Sequence, residues 1–171
     1  MALATARAGN VIGGGDWAQD RLIPDAIRAW QADQPLHIRA PESTRPWQHV
    51  LEPLAGYMSL AEKLWQQPNL SSPFNFGPFP QDARNVGEIV ELARRYYGSG
   101  KITLDQGGNQ PHESHTLTLE ISKAQQLLGF NPRWQITAAV QRTMDWYRSQ
   151  HQGQSAYALC HADIAAYESI E

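Results

Sequence analysis

The sequence predicts an α/β fold, and three observations carry that reading. Short extended segments alternate with amphipathic helices. Glycine and proline punctuate nearly every junction between them. The 171 residues are 42% apolar and 18% charged, enough to bury a core and too apolar for disorder. The strands are few, short and unevenly spaced, which fits part of a sheet protein better than a whole doubly wound one.

Residues 3–12 read as one strand, ended by Gly13-Gly14-Gly15-Asp16. Leu22, Ile23, Ala26, Ile27 and Trp30 recur at helical spacing and predict a helix over 22–32. Pro24 falls in its first turn, where a missing N–H costs nothing. Pro35 opens a brief strand at Leu36-His37-Ile38, and a loop over 40–44 leads to an extended piece over 47–50. The next helix starts at Leu51 and stops before Pro68. Leu51, Leu54, Ala55, Met58, Ala61 and Trp65 share one of its faces and are expected to be its buried stripe.

Phe74-Asn75-Phe76 predicts a strand closed by Gly77-Pro78. Asn85 and Glu88 have the spacing of a capping box, so a helix starts at Val86, and Gly98 ends it. Ile102-Thr103-Leu104 predicts a short strand, followed by a polar loop over 105–114. A short helix over 122–128 is stopped by Gly129. Ile136, Ala139, Val140, Thr143, Met144 and Tyr147 define a last firm helix. Residues 1–150 are read as the body of the fold and 151–171 as a tail, with a weak helix over 156–170 as the alternative.

Composition narrows the function classes. A net charge of -3 argues against a broad nucleic-acid footprint. The single cysteine, Cys160, excludes an intrachain disulfide framework and any Cys-x-x-Cys site. No apolar run approaches the ~20 residues of a membrane span, and the start lacks a signal peptide's apolar core. The expected location is cytoplasmic.

Four local motifs fail on context. Gly13-Gly14-Gly15-Asp16-Trp17-Ala18 has the letters of a dinucleotide fingerprint, with Asp33 downstream. Asp33, however, falls between a helix and the next strand rather than at a strand end. Tyr97 and Lys101 have Tyr-x-x-x-Lys spacing, but Gly98 and Gly100 break the helix that would align them. His112-Glu113-Ser114-His115 is one residue short of a zinc-protease motif and has no evident third ligand. Cys160 and His161 are neighbours in sequence, which does not orient a nucleophile and base.

A dispersed group points further. Asn10 ends a strand, Arg21 opens a helix, Arg45 sits in Thr44-Arg45-Pro46-Trp47, and Asn75 ends a later strand. Ligands of open α/β folds bind outside the carboxyl ends of strands, and arginine's planar fork suits a diphosphate. The bland alternative is solvated arginines and turn asparagines.

At these residues the chain resembles a known family. Ala6-Arg7-Ala8-Gly9-Asn10-Val11-Ile12-Gly13-Gly14-Gly15-Asp16-Trp17, then Asp20-Arg21-Leu22-Ile23-Pro24-Asp25, resembles the extended short-chain dehydrogenases that act on nucleotide sugars, the NAD-dependent epimerase/dehydratase family. Arg45-Pro46-Trp47-Gln48-His49-Val50, Phe74-Asn75-Phe76-Gly77 and Leu127-Leu128-Gly129-Phe130-Asn131-Pro132 resemble later motifs of that family. The wording is most similar to its 4,6-dehydratase branch. The resemblance implies the C-terminal part of an extended Rossmann-like fold with the smaller sugar-nucleotide-binding lobe. It implies a nucleotide-sugar ligand, CDP-glucose, with bound NAD as a hydride shuttle and a homodimer as the assembly of the complete enzyme. It assigns the diphosphate to Asn10, Arg21, Leu22 and Arg45, the base to His37 and Arg39, and a pocket role to Asn75. Gln110-Pro111-His112-Glu113 stands where relatives carry an Arg-Pro-Gly-Asp-like segment, so a second phosphate arginine is missing there. The family's NAD loop and its tyrosine–lysine pair precede the matched segment, so this chain alone is expected to be inactive.

Overall fold

The computed structural model describes residues 2–104 and 116–170. The loop expected over 105–114, with the histidine motif at 112–115 and the segment at 110–113, lies outside them.

The strand expected over residues 3–12 is broken at Gly9. Its halves, β1 (Thr5–Ala8) and β2 (Asn10–Ile12), take different partners. β1 pairs in parallel with β6 (Pro73–Phe76), and β2 pairs in parallel with β5 (Trp47–His49). The cause is Pro46. Its carbonyl accepts from Asn10 N–H at 3.0 Å, and a Cβ on Gly9 would lie 2.3 Å from that oxygen. Only glycine tolerates that approach. Two further pairs complete the extended structure. β3 (Pro35–Ile38) is parallel to β8 (Lys101–Leu104). β4 (Thr44–Arg45) is antiparallel to β7 (Arg84–Asn85), two short strands where only a loop was expected.

Helices α1 (Leu22–Gln31), α3 (Val86–Tyr97) and α5 (Ile136–His151) share one core. Ile27, Ile89, Val90, Val140, Met144 and Tyr147 are fully buried in it. The α3 signals act as read. Asn85 Oδ1 accepts from Glu88 N at 2.8 Å, and Glu88 Oε2 accepts from Asn85 N at 2.9 Å. Gly98 closes the helix at φ 89°. A second core joins α2 (Leu51–Gln66), β6 and α4 (Ser122–Leu128) around Phe74 and Phe76. Phe76 meets Tyr57 and Phe130 edge-on, with ring centroids 5.4 and 5.1 Å away.

α2 corrects the sequence reading. Its apolar stripe faces outward, with Met58 74% and Trp65 89% exposed. The buried face is Glu52, Pro53, Gly56 and Leu60. Two contacts set this rotation. Gly56 lies against Phe76, where a Cβ would sit 2.3 Å from the ring. Glu52 accepts hydrogen bonds from the backbone N–H groups of Arg133 and Trp134. Beyond Gln150, α6 (Ala156–Glu168) is a helix held by buried Tyr167, by Leu159 against the first core and by the Arg142–Asp163 ion pair at 2.9 Å. Among the described residues no helix is long and apolar enough to cross a membrane.

Candidate functional site

The site is built just past the carboxyl end of β1, where β2 and β5 begin side by side in register Asn10 to Trp47, so Asn10 opens a strand where the sequence reading had it end one. Two adjoining cavities open there. The larger, about 480 Å³, is lined by residues from Ala8 to Gly13 and by Asp20, Arg21, Leu22, Ile23 and Trp47. The smaller, about 320 Å³, is lined by Asn10, Leu22, His37, Arg39, Arg45 and Trp47, among others. Asn10, Asp20, Leu22 and Trp47 belong to both and mark the seam. Volumes in this range suit a small organic ligand.

Six of the seven residues singled out in the sequence come together here. Asn10 is half-buried, its backbone fixed by Pro46. Arg21 stands at the α1 N-cap with extended backbone, and its side chain is 62% exposed and 3.5 Å from Asp16 Oδ2. Leu22 follows as the first residue of α1. Exposed His37 projects from β3, with Nδ1 3.0 Å from Thr103 Oγ1. Arg39 is exposed just past that strand. Arg45 is half-buried on β4, and its guanidinium donates to the Thr44 carbonyl at 2.9 Å. Three arginines thus line the cleft, interleaved with Asp16, Asp20 and Asp25, and the planar guanidinium fork of each suits the paired oxygens of an anion.

Asn75 is the exception, lining neither cavity. It sits on β6 opposite Arg7, and its Nδ2 donates to the Glu120 carbonyl at 3.1 Å. Sequence reasoning passed over Asp20 and Trp47. Asp20 carries the one available signal, a polar residue before a helix start, and its φ of 60° shows a left-handed turn. Trp47 is inside the matched arginine–aromatic segment, yet its place at the seam follows only from the pairing with Asn10.

Behind the cleft lies a buried polar layer. Gln48 Nε2 donates to the Phe76 carbonyl at 2.8 Å. His49 Nδ1 accepts from Leu51 N–H at 3.3 Å, so the ring is neutral with its proton on Nε2. Burial, aided by the Arg142 charge, lowers the His49 pKa to about 4.

The described residues do not build a dinucleotide loop. A Cβ on Gly14 would lie 2.1 Å from the Trp146 ring, so this glycine turn receives an indole instead of a pyrophosphate. Tyr97 ends α3 against Trp30, whereas Lys101 lies on β8 and pairs with Asp33 at 3.0 Å. The two share no helix face. Gly14→Ala is therefore expected to destabilise the fold by about 1–3 kcal/mol through overpacking against a buried ring. Chemical denaturation checks it. Among the described residues no cluster of histidine, cysteine and carboxylates has metal-site geometry.

No protein-family model matches the chain. Its fold is that of Rossmann-like NAD-dependent epimerases and dehydratases. It matches a UDP-glucose-4-epimerase from Stenotrophomonas maltophila, solved with NAD and formylated UDP-arabinopyranose. There the TM-score is 0.76 at 16% identity, over 90% of this chain and 50% of that one. It matches UDP-glucuronic acid 4-epimerase from Bacillus cereus, solved with UDP-glucuronic acid and NAD, at TM-score 0.74 and 18% identity, over 88% and 46% of the two chains. It also matches dTDP-glucose 4,6-dehydratase from Bacillus anthracis str. Ames, solved with NAD, at TM-score 0.68 and 17% identity, over 91% and 47%.

Within that fold the chain is a relative of CDP-glucose 4,6-dehydratase. It is 44% identical over 170 residues to the protein of that name from Salmonella typhimurium (strain LT2), covering 99% of this chain and 47% of that protein. The chain thus spans about half the length of the proteins it matches.

Proposed function

We propose that this chain is the C-terminal, sugar-nucleotide-binding portion of a CDP-glucose 4,6-dehydratase, a lyase that uses bound NAD, and that it does not turn over alone. The observation that carries this is the double cleft where β2 and β5 begin, lined by Arg21, Arg39 and Arg45 among others. The 44% identity to the Salmonella protein supports the choice of ligand.

In this reading Asn10, Arg21 and Arg45 hold the diphosphate at the strand ends, where paired N–H donors and positive charge meet it. Leu22, His37 and Arg39 border the smaller cavity and take the nucleoside. Arg39 can cover a base with its guanidinium plane. The larger cavity receives the glucose. Asn75 stands outside both cavities and ties β6 to the segment at Glu120. NAD supplies hydride transfer in the complete enzyme, but the glycine turn and the separated Tyr97 and Lys101 do not fit it, so no step is routed through it here. A cytoplasmic location and a homodimer of the complete enzyme belong to the same reading.

Calorimetry with CDP-glucose tests it. The wild-type chain should bind, and Arg45→Ala should weaken binding at least tenfold, about 1.4 kcal/mol. Equal affinity, or no binding by folded wild type, refutes the site. Adding NAD and CDP-glucose to the chain alone should give no 4-keto product, and turnover would refute the second half of the proposal. A second reading, an epimerase or dehydratase of another nucleotide sugar, is favoured by the UDP-sugars in two of the matched structures. A panel of CDP-, UDP- and dTDP-glucose decides between them.

A further inference from the structure

We infer that Asp25 sets the base preference of the cleft, its carboxylate accepting a hydrogen bond from the 4-amino group of a cytosine in the smaller cavity. This rests on the functional reading above for the seating of the nucleoside. The choice of residue rests on geometry and hydrogen bonding.

Helix geometry gives the position. Leu22 is the first residue of α1 and borders both cavities. Asp25 comes three residues later, so the two share one face of the helix. Asp25 borders the smaller cavity and not the larger, as do His37 and Arg39. Asp20, by contrast, sits at the seam with Asn10, where the diphosphate is placed. The Asp25 side chain is 39% exposed, so a ligand can reach it.

The carboxylate is held in one orientation. Arg28 Nη2 donates to Asp25 Oδ1. The same guanidinium is pinned to the segment that precedes α1. Its Nη1 donates to the Trp17 carbonyl at 3.0 Å, and its Nη2 donates to the Ala18 carbonyl at 2.9 Å. Asp25 also lies in the first turn of α1, where the helix dipole favours negative charge. A partly exposed ion pair adds little stability. What this one supplies is placement. It engages Oδ1, and among the described residues Oδ2 has no hydrogen-bond or ion-pair partner. A group already fixed loses little freedom when a ligand arrives.

The chemistry then selects the base. An ionised carboxylate only accepts hydrogen bonds. Cytosine carries an amino donor at position 4, whereas thymine carries a carbonyl acceptor there, and uracil shares that carbonyl. Aspartate accepting from the cytosine amino group is a recurring pairing in base recognition. Opposite a carbonyl, the same oxygen meets another acceptor with no proton between them. One group thus attracts the right base and repels the wrong ones, the combination that specificity needs. Ser43 completes the lining. It is 4% exposed, it borders the same cavity, and among the described residues its hydroxyl has no hydrogen-bond partner. A hydroxyl both donates and accepts, so it can serve either base and leaves the discrimination to Asp25.

Calorimetry of free nucleotides with the wild-type chain is the first test. CDP should bind at least tenfold tighter than its pyrimidin-2-one analogue, which has hydrogen in place of the amino group. UDP should bind more weakly than that analogue, because its carbonyl faces the carboxylate. Equal affinity for CDP and the analogue overturns the inference. This comparison needs no variant, so it does not depend on a substitution being tolerated. The second test is Asp25→Asn, whose amide can turn an N–H toward a carbonyl. The ratio of CDP to UDP affinity should fall at least tenfold, with UDP binding tightened. A merely structural role would weaken both nucleotides alike, and an unchanged ratio overturns the inference. If Arg45→Ala weakens both nucleotides while Asp25→Asn leaves their ratio alone, the cleft stands and Asp25 is not its base reader. If the folded wild-type chain binds no nucleotide, the functional reading fails and this inference falls with it.

Discussion

Glu52→Ala should lower the free energy of unfolding by about 4 kcal/mol. The carboxylate is fully buried at the start of α2. It accepts from Trp134 N–H at 2.7 Å, Arg133 N–H at 3.0 Å and the Tyr167 hydroxyl at 2.8 Å. Alanine leaves all three donors without an acceptor, each costing about 1–3 kcal/mol when buried. It also cuts one of the links that hold α6, the one made by that helix's buried residue, Tyr167. Glu52→Gln retains a carbonyl oxygen for Trp134 and should lose less than half as much. Urea denaturation of both variants checks this, and protease cleavage between α5 and α6 should quicken only in the alanine variant. A loss below about 1 kcal/mol would show that these donors find other partners.

The second large effect is acid destabilisation through His49. Its folded pKa is about 4, lowered first by burial and then by Arg142, against about 6.5 when unfolded. The unfolded chain therefore binds the proton more tightly. The contribution of His49 to stability is complete above about pH 6.5 and is lost as pH falls through 4. The difference of roughly 2.5 units corresponds to about 3 kcal/mol. Glu52 works in the opposite sense. Burial raises its pKa, so its contribution is complete below the ordinary carboxylate range and falls as pH rises through its folded value. The two slopes overlap, so the informative quantity is the difference between wild type and His49→Phe. Urea midpoints from pH 7 to 4 should fall more steeply for wild type by that amount. Parallel curves would contradict the assignment.

Legibility of the sequence followed the range of the forces involved. The α3 cap at Asn85 and Glu88 and its stop at Gly98 were readable because each involves residues within one turn. The α1 and α5 stripes were readable because their apolar spacing agrees with the core they face. The face of α2 was not, because Glu52's backbone partners lie 81 and 82 residues away. The outward stripe has the periodicity of a core, and only tertiary contacts reveal that nothing in the described chain covers it. The break at Gly9 was hidden for the same reason, since Pro46 alone creates it. At the cleft, residues inside recognisable motifs were found, Asn10, Arg21 and Arg45 among them. Asp20 and Trp47 were missed because a cavity seam has no sequence spacing of its own.

The break at Gly9 also has a consequence for the cleft. β1 answers to β6 and β2 answers to β5, yet one residue joins them, clamped beneath the Pro46 carbonyl. Any side chain at this joint would run into that carbonyl, so the placement of Asn10 at the cleft hangs on a position that only glycine can occupy.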